Sequence, residues 1–62
     1  MKDFKNKVAA ITGASSGMGR SLAVLLASRG CHVALSDINE AGLAETVKLL
    51  NGTGVKVTSQ KL

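Results

Sequence analysis

Three glycines and one carboxylate stand out in this 62-residue chain for their chemistry and their separation in sequence. Gly13, Gly17 and Gly19 fall within TGASSGMG, residues 12–19. Gly13 permits a sharp turn with positive φ. Gly17, lacking a Cβ, lets a pyrophosphate approach the main chain, and Gly19 allows close packing of a helix. Ser15, Ser16 and Met18 stand in the same loop and are counted with it as candidate binding residues. The amides in the first turn of a helix have no intrahelical acceptor, and the macrodipole places about half a positive charge there. A phosphate group satisfies both. The spacing Gly-x-x-x-Gly-x-Gly departs from the G-x-G-x-x-G fingerprint, so on glycine count alone a flexible connection is the competing reading.

Asp37 lies 24 positions after Gly13, close to the ~20-residue separation at which an acidic side chain reaches a ribose. A carboxylate there accepts charge-assisted hydrogen bonds from both ribose hydroxyls. It also repels a 2′-phosphate: one unit charge at ~4 Å and an effective dielectric of ~20 costs about 4 kcal/mol. The competing reading makes Asp37 a cap for the next helix. Ile38, next in the chain, completes the candidate set.

Periodicity marks the strands and helices that hold these residues. Val8, Ala9, Ala10 and Ile11 form an apolar run too short for a helix, which reads as a buried parallel strand. Thr12 and Gly13 turn the chain. From Met18 to Arg29 the residues Met18, Leu22, Leu25, Leu26 and Arg29 recur at helical spacing, with Ala23 and Ala27 beside them. Gly30 stands where a left-handed residue ends a helix. His32 to Ser36 is a second strand. Asn39 is a good N-cap, Glu40 suits a first turn, and Leu43, Val47 and Leu50 mark a second helix over 40–50. Gly42 weakens that helix by about 1 kcal/mol relative to Ala. Asn51 to Gly54 breaks it, and Val55 to Leu62 reads as a third strand.

The stretch from Val8 to Gly19, VAAITGASSGMG, closely resembles the TGxxxGxG cofactor segment of the short-chain dehydrogenase/reductase family. The resemblance runs on through Asp37 and covers essentially the whole chain. It implies an NAD(P)-binding Rossmann fold. In that family an acidic residue after the second strand goes with NAD. NADP-preferring members often carry a basic residue just before the central glycine or just after the second strand, where this chain has Ser16 and Ile38. NAD is therefore the expected cofactor and NADP the less favoured one. The reaction implied is hydride transfer between nicotinamide and an alcohol or carbonyl substrate. Family members draw a Tyr-x-x-x-Lys pair and a Ser from later segments. This chain has no tyrosine, so no catalytic residue is assigned and the 62 residues alone are expected to be inactive.

The fold class expected is α/β: the first β-α-β-α-β half of a doubly wound parallel sheet, strands in 3-2-1 order. Right-handed crossovers place both helices on one face. The other face and the outer edge of the first strand then lie open, a liability for aggregation. Residues 1–62 are accordingly expected to be one partial domain, cut short at its C-terminus, and to self-associate through the open face. A stand-alone, non-catalytic nucleotide-binding or interaction module is the alternative.

Composition removes other classes. The net charge of +4 suits nucleic acid, but the basic residues are scattered and Phe4 is the single aromatic, so there is no stacking platform. No nucleic-acid partner is expected. Cys31 is the one cysteine and His32 the one histidine; neither belongs to a metal-ligand pattern. The apolar run after the charged N-terminus is too short for a signal peptide or a membrane span, and a cytoplasmic location is expected.

Overall fold

The computed structural model describes residues 5–62; Phe4 lies outside the described residues. Five elements alternate along the chain: β1 (Val8–Thr12), α1 (Gly17–Ser28), β2 (His32–Asp37), α2 (Glu40–Leu49) and β3 (Val57–Lys61). The strands form one parallel sheet with β2 in the middle, the expected 3-2-1 order. Ala9 pairs with Val33 and Ile11 with Leu35 on one side of β2, while Val33 pairs with Val57 and Asp37 with Lys61 on the other.

That register sorts the sheet into two unlike faces, because successive side chains point to opposite sides. Ile11, Val33, Leu35 and Asp37 are buried beneath the helices. Both helices cover this face, α1 over β1 and β2, α2 over β2 and β3, and the two helices also touch. The opposite face carries Val8, 70% exposed, with Ala10, Thr12, His32, Ala34, Ser36, Thr58 and Gln60. The open face is therefore mixed in character. Among the described strand residues its apolar part is Val8, Ala10 and Ala34, less than the buried-strand reading of β1 leads one to expect.

The helix α1 meets the sheet through its alanines. Ala23 and Ala27 are buried and Leu26 packs partly against the same cluster, whereas Met18, Leu22 and Leu25 are exposed. Of the large side chains that periodicity marks in α1, Leu26 packs against the core in part, and Met18, Leu22 and Leu25 do not. Small residues let the helix axis come down close to the strands, and the larger ones line an open groove with Ile11 and Thr12 at the free edge of β1. The helix ends in a Schellman motif: Gly30, at φ +85°, donates to Ala27 O, and Cys31 N donates to Leu26 O, both at 3.0 Å.

In α2, Leu43 and Leu50 join the core and Val47 packs against it. Asn39 accepts from the Gly42 amide at 3.0 Å, so it is the cap of this helix. The strand β3 begins at Val57 and not at Val55. The Lys56 amide is taken by His32 Nδ1 at 2.9 Å, while Lys56 O accepts from Val33 at 3.0 Å and opens the ladder. His32 is thus occupied as an acceptor at the mouth of β2. Among the described residues, no helix is long and apolar enough to cross a membrane, and no group of three or more His, Cys, Asp or Glu is placed to hold a metal ion.

Candidate functional site

The loop from β1 to α1 is shaped by backbone conformations that favour glycine. Gly13 takes φ +68° and Gly17 φ +60°, in the left-handed region where a Cβ is strained. Gly19 has a different reason to be glycine. A Cβ there would stand 2.8 Å from the carbonyl carbon of Gly13 and 3.2 Å from Ala14 Cα, so α1 packs directly on the loop that precedes it. At Gly17 a Cβ would meet nothing within 4 Å among the described residues. It would project into open space beside the start of the helix.

The two helix N-termini are unlike. α2 is closed by its Asn39 cap and has Glu40 in its first turn. α1 begins one residue earlier than periodicity indicates, at Gly17. Its N-cap Ser16 is extended, makes no side-chain cap hydrogen bond, and no acidic residue lies in the first turn. The positive end of α1 is therefore left to whatever sits outside it.

Asp37 closes the site from β2. Its Oδ2 accepts from the Ser15 amide at 3.1 Å and its Oδ1 from the Asn39 amide at 2.9 Å. These bonds hold its carboxyl below the ordinary carboxylate range: the Asn39 amide contributes most, then the Ser15 hydroxyl and amide, against a smaller opposing effect of burial. Asp37 does not cap α2; Asn39 does. A carboxylate offers about four lone-pair positions, and the two amides together with the Ser15 hydroxyl do not fill them all.

The residues singled out from sequence come together, with differing exposure. Gly13, Ser16, Gly17, Met18 and Ile38 are exposed, Met18 at 87% and Ile38 at 74%. Ser15, by contrast, is buried at 7%, its amide and hydroxyl turned to Asp37. Within this site it holds the loop from beneath. Ala14, adjacent, donates to Ser36 O at 3.2 Å and extends the β1–β2 pairing into the turn.

Three residues around the loop have no counterpart among the sequence candidates. Arg20 donates through Nε to Thr46 Oγ1 at 2.9 Å, and through Nη2 to Ser15 O and to Gly42 O, the latter at 3.0 Å. Thr46, fully buried, places its hydroxyl 2.6 Å from Ala14 O. Gly42 is required by close approach: a Cβ would lie 2.6 Å from Ser15 Cβ. The available signal is the Gly42–Thr46 pair one turn apart on α2, which in sequence reads only as a local weakness of that helix.

A parallel β-α-β-α-β sheet with a glycine turn at the carboxyl end of β1 and an acid at the end of β2 has the Rossmann-type architecture. A family profile described as short chain dehydrogenase matches residues 7–62. The chain belongs to the short-chain dehydrogenase family. It is 47% identical over 58 residues to cyclohexanol dehydrogenase of Acinetobacter, covering 94% of this chain and 23% of that protein. Against human (3R)-3-hydroxyacyl-CoA dehydrogenase it is 46% identical over 53 residues, 86% of this chain and 20% of the relative. Among solved structures, a short-chain dehydrogenase/reductase of Burkholderia phymatum in complex with NAD superposes with TM-score 0.89 at 44% identity. It covers 98% of this chain and 22% of that one. Carveol dehydrogenase of Mycobacterium avium, also with NAD, gives TM-score 0.90 at 30% identity over 100% of this chain and 27% of that one. The chain thus spans about a fifth to a quarter of the length of these relatives.

Proposed function

We propose that this chain binds the pyrophosphate and adenosine ribose of NAD, as the cofactor-binding part of an oxidoreductase acting on an alcohol or carbonyl substrate. The observation that carries the reading is the contrast between the two helix starts. α2 is capped by its own Asn39, while α1 has an uncapped N-terminus behind two positive-φ glycines. In this reading the amides of Ser16, Gly17, Met18 and Gly19 donate to the pyrophosphate, and the missing Cβ at Gly17 keeps its approach clear. Asp37 accepts from the ribose hydroxyls with the lone pairs that Ser15 and Asn39 leave, and Ile38 lies beside the adenosine. Bound NAD supplies a hydride acceptor, and NADH a hydride donor.

Asp37 also sets the cofactor preference toward NAD. Its charge opposes a 2′-phosphate, and neither Ser16 nor Ile38 offers a cation to offset that repulsion. NAD-bound relatives support the dinucleotide as a class. The test is calorimetric titration of NAD and NADP into the intact gene product. Saturable NAD binding, tighter than NADP, is expected; equal or reversed affinities contradict the role of Asp37, and no binding of either contradicts the reading itself.

A further inference from the structure

We propose that Arg20, Gly42 and Thr46 form a brace that positions the glycine loop for the dinucleotide, so that α2 controls cofactor affinity through residues that do not themselves take part in binding. The brace rests on the proposed NAD site.

The brace acts through peptide planes. A trans peptide is planar, with its C=O and N–H pointing in opposite directions. Arg20 holds Ser15 O from the α2 side, which turns the Ser16 N–H, on the same peptide, away from α2 and toward the open side of the loop. Thr46 holds Ala14 O at 2.6 Å, while Asp37 holds the amide of that same peptide, Ser15 N, at 3.1 Å. Two successive peptides are therefore fixed, one at both ends and one by its carbonyl. The second of these peptides carries the Ser16 amide, the first of the donor series proposed to meet the pyrophosphate.

The residue types suit this task. Arginine offers a rigid planar fork, and here it reaches the Thr46 hydroxyl with Nε and two carbonyls with Nη2. The threonine hydroxyl accepts from Arg20 and has one proton to give, with Ala14 O nearer at 2.6 Å than Gly42 O at 3.1 Å. Gly42 lets the first turn of α2 come against Ser15, where a Cβ would stand 3.0 Å from Ser15 O. Without that approach Arg20 could not bridge the two segments.

The experiment uses the intact gene product, its Thr46→Val, Thr46→Ser, Arg20→Gln and Arg20→Lys variants, calorimetric titration with NAD, and amide exchange of the cofactor-free protein. Thr46→Ser keeps the hydroxyl and is expected to bind NAD within about twofold of the parent. Thr46→Val and Arg20→Gln leave buried carbonyls unpaired and should weaken binding by about tenfold or more. Arg20→Lys keeps the charge without the fork and should behave like Arg20→Gln. Amide exchange at Ser16 and Gly17 should quicken in the weakened variants and not in Thr46→Ser. If Thr46→Val does not fold, the two Arg20 variants, changed at a half-buried position, carry the same comparison. Lower melting temperatures with unchanged NAD affinity and unchanged exchange at Ser16 would overturn the brace. Failure of the parent to bind NAD would instead remove the cofactor reading, and the proposal with it.

Discussion

The Asp37 carboxylate and the Ser15 amide, 22 residues apart in sequence, meet at 3.1 Å. The contact ties the end of β2 to the underside of the glycine loop. The other carboxylate oxygen holds Asn39 at 2.9 Å, so one side chain fixes both the loop before α1 and the turn before α2. Its position is dictated by register: Asp37 comes after Val33 and Leu35 on the covered face of the sheet, and at the strand end that face opens beside the loop.

This anchoring is pH-dependent with a definite sign. Because amide donors lower the Asp37 pKa in the folded state, folding is linked to release of a proton. The stabilisation is fully present above the unfolded value of ~3.9 and is lost as pH falls through the folded value. Urea unfolding between about pH 6 and pH 2.5 should show stability falling through the acid range. Asp37→Asn should flatten part of that fall. An unchanged profile in the variant would show that the contact contributes nothing to stability.

Replacing Asp37 with Ala removes the proposed ribose acceptor and the repulsion toward a 2′-phosphate together. The ratio of NADP to NAD dissociation constants should fall by about tenfold or more. Fluorescence titration with the two reduced cofactors measures it. A constant ratio would reduce Asp37 to the anchor seen between Ser15 and Asn39.

Gly17→Val tests the open space beside the start of α1. Its Cβ meets no neighbour within 4 Å, so packing is spared, while the φ of +60° adds strain of about 1–2 kcal/mol. The variant should fold with a lowered melting point and lose NAD binding by about a hundredfold or more, because the side chain occupies the approach of the pyrophosphate. Near-parental affinity would place the pyrophosphate elsewhere.

Gly19→Ala is the complementary case. Its added methyl would press on the Gly13 carbonyl carbon at 2.8 Å and Ala14 Cα at 3.2 Å, backbone that cannot rotate aside. The expected cost is about 1–3 kcal/mol of overpacking, measured by denaturant unfolding. A variant as stable as the parent would contradict the tight seat of α1 on the loop.

Much of this site could be read from the order of residues. The apolar runs at Val8 and Val33 gave the strands, Gly30 and Asn39 the helix limits, and the TGASSGMG string with Asp37 gave the family. Periodicity misled in α1, because it weights Leu22 and Leu25 by hydrophobicity, whereas contact with a sheet selects the small Ala23 and Ala27. It also could not reveal Arg20, Gly42 and Thr46 as partners. Arg20 and Thr46 are 26 residues apart and become neighbours only when both crossovers lie on one face. Gly42 looks like a flaw in a helix until the approach of Ser15 explains it. Similarly, Val55 suits a strand, but the Lys56 amide is drawn to His32 and the ladder starts later.

In the proposed site the dinucleotide sits on the loop and the first turn of α1, against Asp37. The most direct test of this placement is titration of the isotopically labelled intact gene product with NAD, monitored by amide chemical shifts. Saturable changes are expected, concentrated at Gly13 to Gly19 and at Asp37 and Ile38, with smaller ones reaching Gly42 and Thr46 through Arg20. Binding whose shifts avoid both the 13–19 loop and the end of β2, or no binding at all, would contradict it.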